Sequence, residues 1–116
     1  MNLAALRRLP PRAQIAFLRA NRRLQRAAGM PTSTGQLGVL QRLLPTALRA
    51  GTIYAAWKDP ATLERIAGYL DQVASALGRL RSAQQAAQHT SMAAADVRAR
   101  IADLRAGRAD PNEQPG

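Results

Sequence analysis

The sequence predicts an all-α protein: a small helical bundle built on an antiparallel helical hairpin, with a basic N-terminal helix and a disordered C-terminal tail. Alanine, the strongest helix former, supplies 25 of the 116 residues. β-Branched residues are scarce, and no stretch alternates cleanly between apolar and polar residues, so strands are not expected. One Phe, one Trp and two Tyr are the only large rings. Because alanine buries little apolar area, we expect a thin core that gains stability from a partner or a second copy.

The first predicted element is a basic helix over 11–28. The Pro10-Pro11 pair suits a helix start, because the first turn leaves its amide groups unpaired and proline has none to lose. Gly29 is placed as its C-terminal cap. The run Ser33-Thr34-Gly35-Gln36 matches a capping box and predicts a second helix over 34–58. Pro45 is expected to kink that helix.

The third predicted helix covers 60–88. Asp59 is its expected N-cap, and Pro60 occupies the first helical position. Apolar residues then recur at steps of three and four, which places them on one stripe. The stripe consists of Leu63, Ile66, Leu70, Val73, Leu77 and Leu80. The short junction before Asp59 predicts that 34–58 and 60–88 form the hairpin. The stripe is either the core of the chain itself or a surface for a protein partner, including a second copy.

The fourth predicted helix covers 91–106, with Ser91 as its N-cap after an interruption at His89-Thr90-Ser91. Residues 1–106 are expected to form a single helical domain. Residues 107–116 contain two prolines and no large apolar residue. This composition predicts a disordered tail.

The charge distribution is strongly asymmetric. Residues 1–50 contain nine arginines and no acidic residue, whereas residues 51–116 contain eight basic and seven acidic residues. Such asymmetry favours a polyanionic partner, either DNA or RNA or an anionic membrane.

The first helix gathers this charge on one face. On a helical wheel of about 100° per residue, five arginines fall opposite Phe17 within a sector of roughly 100°. They are Arg12, Arg19, Arg22, Arg23 and Arg26. No acid is near them in the sequence, and guanidinium groups bind phosphate with two hydrogen bonds at once. The face is therefore predicted to bind the phosphate backbone of a nucleic acid, or else to be only a solvated surface.

The segment from Phe17 to Leu44 locally resembles the first two helices of winged-helix regulators of the multiple-antibiotic-resistance type. The resemblance consists of an Arg-rich helix, a short turn and a run such as that from Ser33 to Leu40. No later segment resembles the recognition helix or the β-wing of that family. The resemblance therefore assigns no DNA-reading residue.

Catalysis and metal binding are not expected. His89 is the only histidine, cysteine is absent, and no cluster has metal-ligand spacing. Glu64 and Asp71 lie seven residues apart, as do Asp96 and Asp103, and such pairs commonly meet nearby arginines or solvent. No cofactor is predicted.

Three function classes remain, and in all of them we expect a cytoplasmic protein, because the first residues lack a secretory signal and already contain Arg7 and Arg8. The first is a nucleic-acid-binding protein that acts mainly through backbone charge, with little base readout. The second is a helical adaptor or assembly subunit that binds a protein partner, or forms a homo-oligomer, through the leucine-rich hairpin. The third is a protein of the membrane surface, which ranks lower because Phe17 and Leu24 are the only large residues on the apolar face of the basic helix.

Overall fold

The computed structural model describes residues 7–31, 35–49 and 57–107. Within them the regular elements are four α-helices and two short 3₁₀ segments, and none of these residues lies in a strand. The helices are α1 (Pro11–Gly29), α2 (Gln36–Arg42), α3 (Pro60–Gly78) and α4 (Gln84–Arg105). The 3₁₀ segments are Leu44–Arg49 and Arg81–Ala83. The all-α fold class is confirmed, whereas the predicted tail from 108 onward lies outside the described residues.

Helix α1 begins and ends close to the predicted positions, but its C-terminal cap is different. Gly29 is still helical, and the two described glycines with positive φ are Gly35 and Gly107. The buried Gln41 side chain of α2 instead donates hydrogen bonds of 2.7 Å from Nε2 to the carbonyl oxygens of Ala27 and Met30. A side chain from the next helix thus satisfies carbonyl groups that the end of a helix leaves open. Gln41 also ties α2 to the end of α1.

The second predicted helix, over 34–58, is only partly α-helical in its described residues, 35–49 and 57–58. Its α-helical part, α2, has seven residues, and the 3₁₀ segment Leu44–Arg49 follows. Pro45 explains the change, because it lacks the amide hydrogen that would continue the α-helical ladder and its ring clashes with the preceding turn. The remaining positions of this prediction, 34 and 50–56, lie outside the described residues.

The start of α3 agrees with the sequence in detail. Asp59 is the N-cap, and its Oδ1 accepts a hydrogen bond of 3.2 Å from the amide of Ala61. The hydroxyl of Thr62 donates to Oδ2 of Asp59 at 2.6 Å. These hydrogen bonds hold the pKa of Asp59 below its ordinary value of 3.8, the one from the Thr62 side chain having the largest effect.

The predicted boundary between the third and fourth helices is wrong. Helix α3 ends at Gly78 rather than at 88, and α4 begins at Gln84 and continues without a break to Arg105. Leu80 is extended between them, and Nε2 of Gln84 donates to the carbonyl of Leu80 at 3.1 Å. His89-Thr90-Ser91 does not interrupt α4, because the buried hydroxyl of Thr90 donates to the carbonyl of Ala86 at 2.7 Å and is satisfied within the helix.

The hairpin therefore joins α3 to α4 and not 34–58 to 60–88. Helix α4 lies between α1 and α3 and is antiparallel to both. Its run of buried positions recurs every seven residues as Ala86 and Ala87, Ala93 and Ala94, and Arg100 and Ile101. Ten of the 23 buried apolar residues in the described part of the chain are alanines. These small side chains let two helices approach α4 closely on adjoining sides.

Trp57 connects the three long helices just before α3 begins. Its ring is fully buried and meets Phe17 of α1 edge to face, with ring centroids 5.5 Å apart and an angle of 80° between the planes. Its carbonyl oxygen accepts a hydrogen bond of 3.0 Å from Nε of Arg100, a buried residue of α4. These contacts of Trp57 fix the positions of α1 and α4, along their own axes, relative to the start of α3.

Candidate nucleic-acid interface

The basic face of α1 is presented by a helix that is buried on its other side. Its inward residues are all in the core: Ala13, Phe17, Ala20, Asn21, Leu24 and Ala27. Of the predicted site residues, Arg12, Arg19, Arg22 and Arg26 are exposed, and Arg23 is half-buried. The structure thus keeps the five arginines on the surface of one helix, but it divides them into two groups.

Arg12 and Arg23, here called the paired arginines, form ion pairs with α4. Nη1 of Arg12 lies 3.1 Å from Oδ1 of Asp103, and Nη1 of Arg23 lies 3.0 Å from Oδ2 of Asp96. Nη1 of Arg23 also donates to the carbonyl oxygen of Met92 at 3.2 Å. The sequence offered no acid near this face, because the two aspartates come from a helix more than 70 residues later in the chain. Their spacing of seven residues, noted above, was the available signal.

The carboxyl group of Asp96 is largely buried beside Arg23. Burial raises the pKa of its carboxyl group above the ordinary value of 3.8, and the positive charges of Arg23 and Arg19 oppose that rise. Arg19 therefore lies within the field of Asp96, although the ion pair of Asp96 is with Arg23. The small cleft between α1 and α4, of about 180 Å³, is lined by residues of both helices, including Arg12, Arg19 and Asp96.

Arg19, Arg22 and Arg26, here called the outer arginines, project from the exposed side of α1, with Arg19 at the edge of the cleft toward α4. None of them forms an ion pair with an acid of residues 7–31, 35–49 or 57–107. Each described acid already has a role within the fold: Asp59 caps α3, Asp96 and Asp103 pair with α1, and Glu64 and Asp71 pair with the α4 arginines Arg105 and Arg98. The outer arginines are consequently the part of the predicted site that is open to an external anion.

The leucine stripe predicted as a partner surface lies in the core of the chain itself. Five of its six residues are buried, and Leu80 is half-buried against the same core. They are Leu63, Ile66, Leu70, Val73 and Leu77. The sequence allowed the stripe to be either the core of the chain itself or a surface for a protein partner, and the structure places it in the core. A partner docked on these residues would have to displace the elements packed against α3, chiefly α4.

Exposed aliphatic side chains occur elsewhere, at positions that the sequence analysis did not select. On α1, Ile15 is 51% exposed and Leu18 is 42% exposed. On α2, Val39 and Leu40 are exposed beside an open groove of about 510 Å³, and Leu43, directly after α2, is exposed as well. These positions were missed because only part of each helix is covered by other elements, and the sequence does not say which part.

Other features bear on alternative chemistry. Trp57 is buried and cannot stack on a base, whereas Tyr69 is partly exposed on α3. In the part of the chain that the structure describes, no group of three or more His, Cys, Asp or Glu residues is placed to hold a metal ion. Among the same residues, no helix is long and apolar enough to cross a membrane.

Comparison with known proteins adds no assignment. No protein-family model matches this chain, and neither a curated protein nor a solved structure matches it. The function is therefore argued from the charges and contacts of the chain itself.

Proposed function

We propose that this protein binds the phosphate backbone of nucleic acids through the outer arginines of α1. The observation that carries the proposal is the exposed set formed by Arg19, Arg22 and Arg26, because every described acid forms its ion pair or cap with another residue. Three exposed guanidinium groups on one helix face repel one another, and none of the described acids forms an ion pair with them. Phosphate oxygens would supply that charge, and each guanidinium group offers a fork of donors that fits them.

The proposal has a quantitative signature in the salt dependence of binding. Each arginine–phosphate contact releases counterions from the duplex, so log K falls with log salt with a slope of about −0.9 per contact. Three outer arginines predict a slope of about −2.7, whereas all five predicted arginines would give about −4.5. The slope therefore reports how many arginines of the face meet phosphate.

The test is the binding of a random-sequence DNA duplex, measured by fluorescence anisotropy over a salt series. We compare wild type with the triple variant R19Q/R22Q/R26Q. The matched control R42Q/R79Q/R81Q removes the same charge from exposed positions on α2 and on the turn between α3 and α4. We expect the first variant to lose binding and the control to keep most of the slope. Equal losses in both variants would show a response to net charge alone, and circular dichroism checks that each variant is folded.

The adaptor function is the second candidate, on a different surface from the one predicted. The exposed residues Val39 and Leu40 of α2, with Leu43 directly after it, favour it, since three neighbouring large aliphatic side chains are in contact with solvent. Sedimentation velocity over a range of concentrations tests self-association through this patch. Association that V39A/L40A abolishes, together with absent duplex binding, would support the adaptor over the nucleic-acid proposal.

A further inference from the structure

The outward face of α1 contains two residues that phosphate binding does not explain. Ile15 and Leu18 are 51% and 42% exposed, although α1 has a complete buried face on its opposite side. At about 100° per residue, Ile15, Leu18 and Arg22 share a sector of roughly 60°. This sector is the middle of the exposed face, and the outer arginines Arg19 and Arg26 flank it on the side of α4.

The length of the row formed by Ile15, Leu18 and Arg22 fits the major groove of DNA. Helix α1 has 19 residues, and its exposed positions lie together on one side. From Ile15 to Arg22 the helix rises about 10 Å, which equals about three base steps of 3.4 Å. The major groove of B-form DNA is wide enough to admit an α-helix, and there thymine presents a methyl group. The corresponding groove of A-form RNA is too narrow and deep for side chains to read.

We infer that α1 enters the major groove of B-form DNA, where Ile15 and Leu18 contact thymine methyl groups while the outer arginines hold the backbone. The inference rests on the proposed function and names its substrate class. It adds contacts to the bases that the sequence alone did not predict.

A lipid surface fits the same face less well. A helix that lies in a bilayer interface buries a continuous apolar face among the lipid chains. The continuous apolar face of α1 is turned into the protein core, and the two aliphatic residues that remain stand directly beside arginines. The major groove of DNA, with phosphates along its edges and isolated thymine methyl groups inside it, matches this mixture of arginine and aliphatic side chains more closely.

The test compares two duplexes of identical sequence, one with thymine and one with deoxyuridine, which lacks only the methyl group. Wild type is expected to bind the thymine duplex more tightly by about fourfold for each buried methyl, with the same salt slope on both duplexes. I15A/L18A should bind both duplexes equally, at the level of wild type on the deoxyuridine duplex. The matched control V39A/L40A removes exposed aliphatic side chains from α2 and should retain the preference for thymine.

The outcomes separate this inference from the proposed function. Equal binding of both duplexes by wild type, with the salt slope intact, would overturn the major-groove contact and leave backbone binding standing. Equal affinity for an RNA duplex of the same sequence would also overturn it. If no nucleic acid binds and the protein cosediments with vesicles containing phosphatidylserine, both proposals fail. Because Ile15 and Leu18 are exposed, I15A/L18A should remain folded, and its circular dichroism spectrum verifies this.

Discussion

Asp96 and Asp103 are predicted to limit the number of arginines that reach a nucleic acid. Their carboxylates hold Arg23 and Arg12 at 3.0 and 3.1 Å. Replacing both by asparagine keeps the shape of the side chains and removes their charge. In D96N/D103N, the paired arginines should become available to phosphate beside the outer arginines.

The magnitude follows from the number of contacts. Two additional phosphate contacts change the predicted salt slope from about −2.7 to about −4.5. Between 0.1 and 0.2 M salt, this difference amounts to an additional loss of binding of about 3.5-fold in the variant. At low salt the variant should bind more tightly than wild type. The loss of stability is expected to be small, because partly exposed ion pairs contribute about 0–1 kcal/mol each.

The assay is fluorescence anisotropy with a labelled duplex at five or more salt concentrations. E64Q/D71N is the matched control, because it removes two acids from α3 that pair with Arg105 and Arg98 on the other edge of α4. It raises the net charge by the same amount as D96N/D103N. An unchanged slope in D96N/D103N, or an equal increase in the control, would refute the reasoning that the paired arginines are held back from phosphate.

Further predictions concern stability and are checked by urea or thermal unfolding followed by circular dichroism. Q41A should destabilise the fold by about 1–3 kcal/mol, because the carbonyl groups of Ala27 and Met30 lose the side-chain amide that donates to both; an exposed control, Q36A, should change little. W57A should lower the free energy of unfolding by about 3–5 kcal/mol, because it leaves a cavity against Phe17. A smaller loss than that of Q41A would contradict the role of Trp57 in joining the long helices. D59A should lower the thermal midpoint. Because the pKa of Asp59 lies below 3.8, this difference should narrow as the pH falls through that pKa. For Asp96 the expected pH dependence of stability has the opposite sign. Because its pKa is raised, wild type should lose stability relative to D96N as the pH rises through that pKa. If the stability difference between wild type and D59A, or between wild type and D96N, stays constant from pH 3 to pH 7, the pKa shift of that aspartate is contradicted.

Local signals in the sequence predicted the parts of the fold that local chemistry controls. The start of α1 after Pro10 and the N-cap of α3 at Asp59 are confirmed, since proline geometry and Asp capping act within a few residues. The extent of α4 was missed because residues 83–95 contain alanine in place of a stripe of large apolar residues. A helix buried on two sides by small residues has no strong period of hydrophobicity.

The candidate site was also predicted only in part, because local helical geometry controls some of its features and the tertiary fold controls the others. The angular positions of the five arginines follow from helical geometry alone, so the sequence located the face. The division into outer and paired arginines depends on Asp96 and Asp103, whose approach requires the tertiary fold. The exposure of Ile15 and Leu18 likewise depends on where α2 and α4 cover α1. Properties of this kind become visible only when distant parts of the chain are assembled.

The two charged edges of α4 also favour one of two possible arrangements of α1 and α3 around it. The acidic edge of α4, with Asp96 and Asp103, meets arginines of α1, and its basic edge, with Arg98 and Arg105, meets acids of α3. If α1 and α3 exchanged sides, each edge would meet charges of its own sign. Ten of the 23 buried apolar residues in the described part of the chain are alanines, and such small side chains give the packing surfaces little shape with which to reject that exchanged arrangement. The handedness of this three-helix layer is therefore selected by repulsion in the alternative as well as by attraction in the native fold.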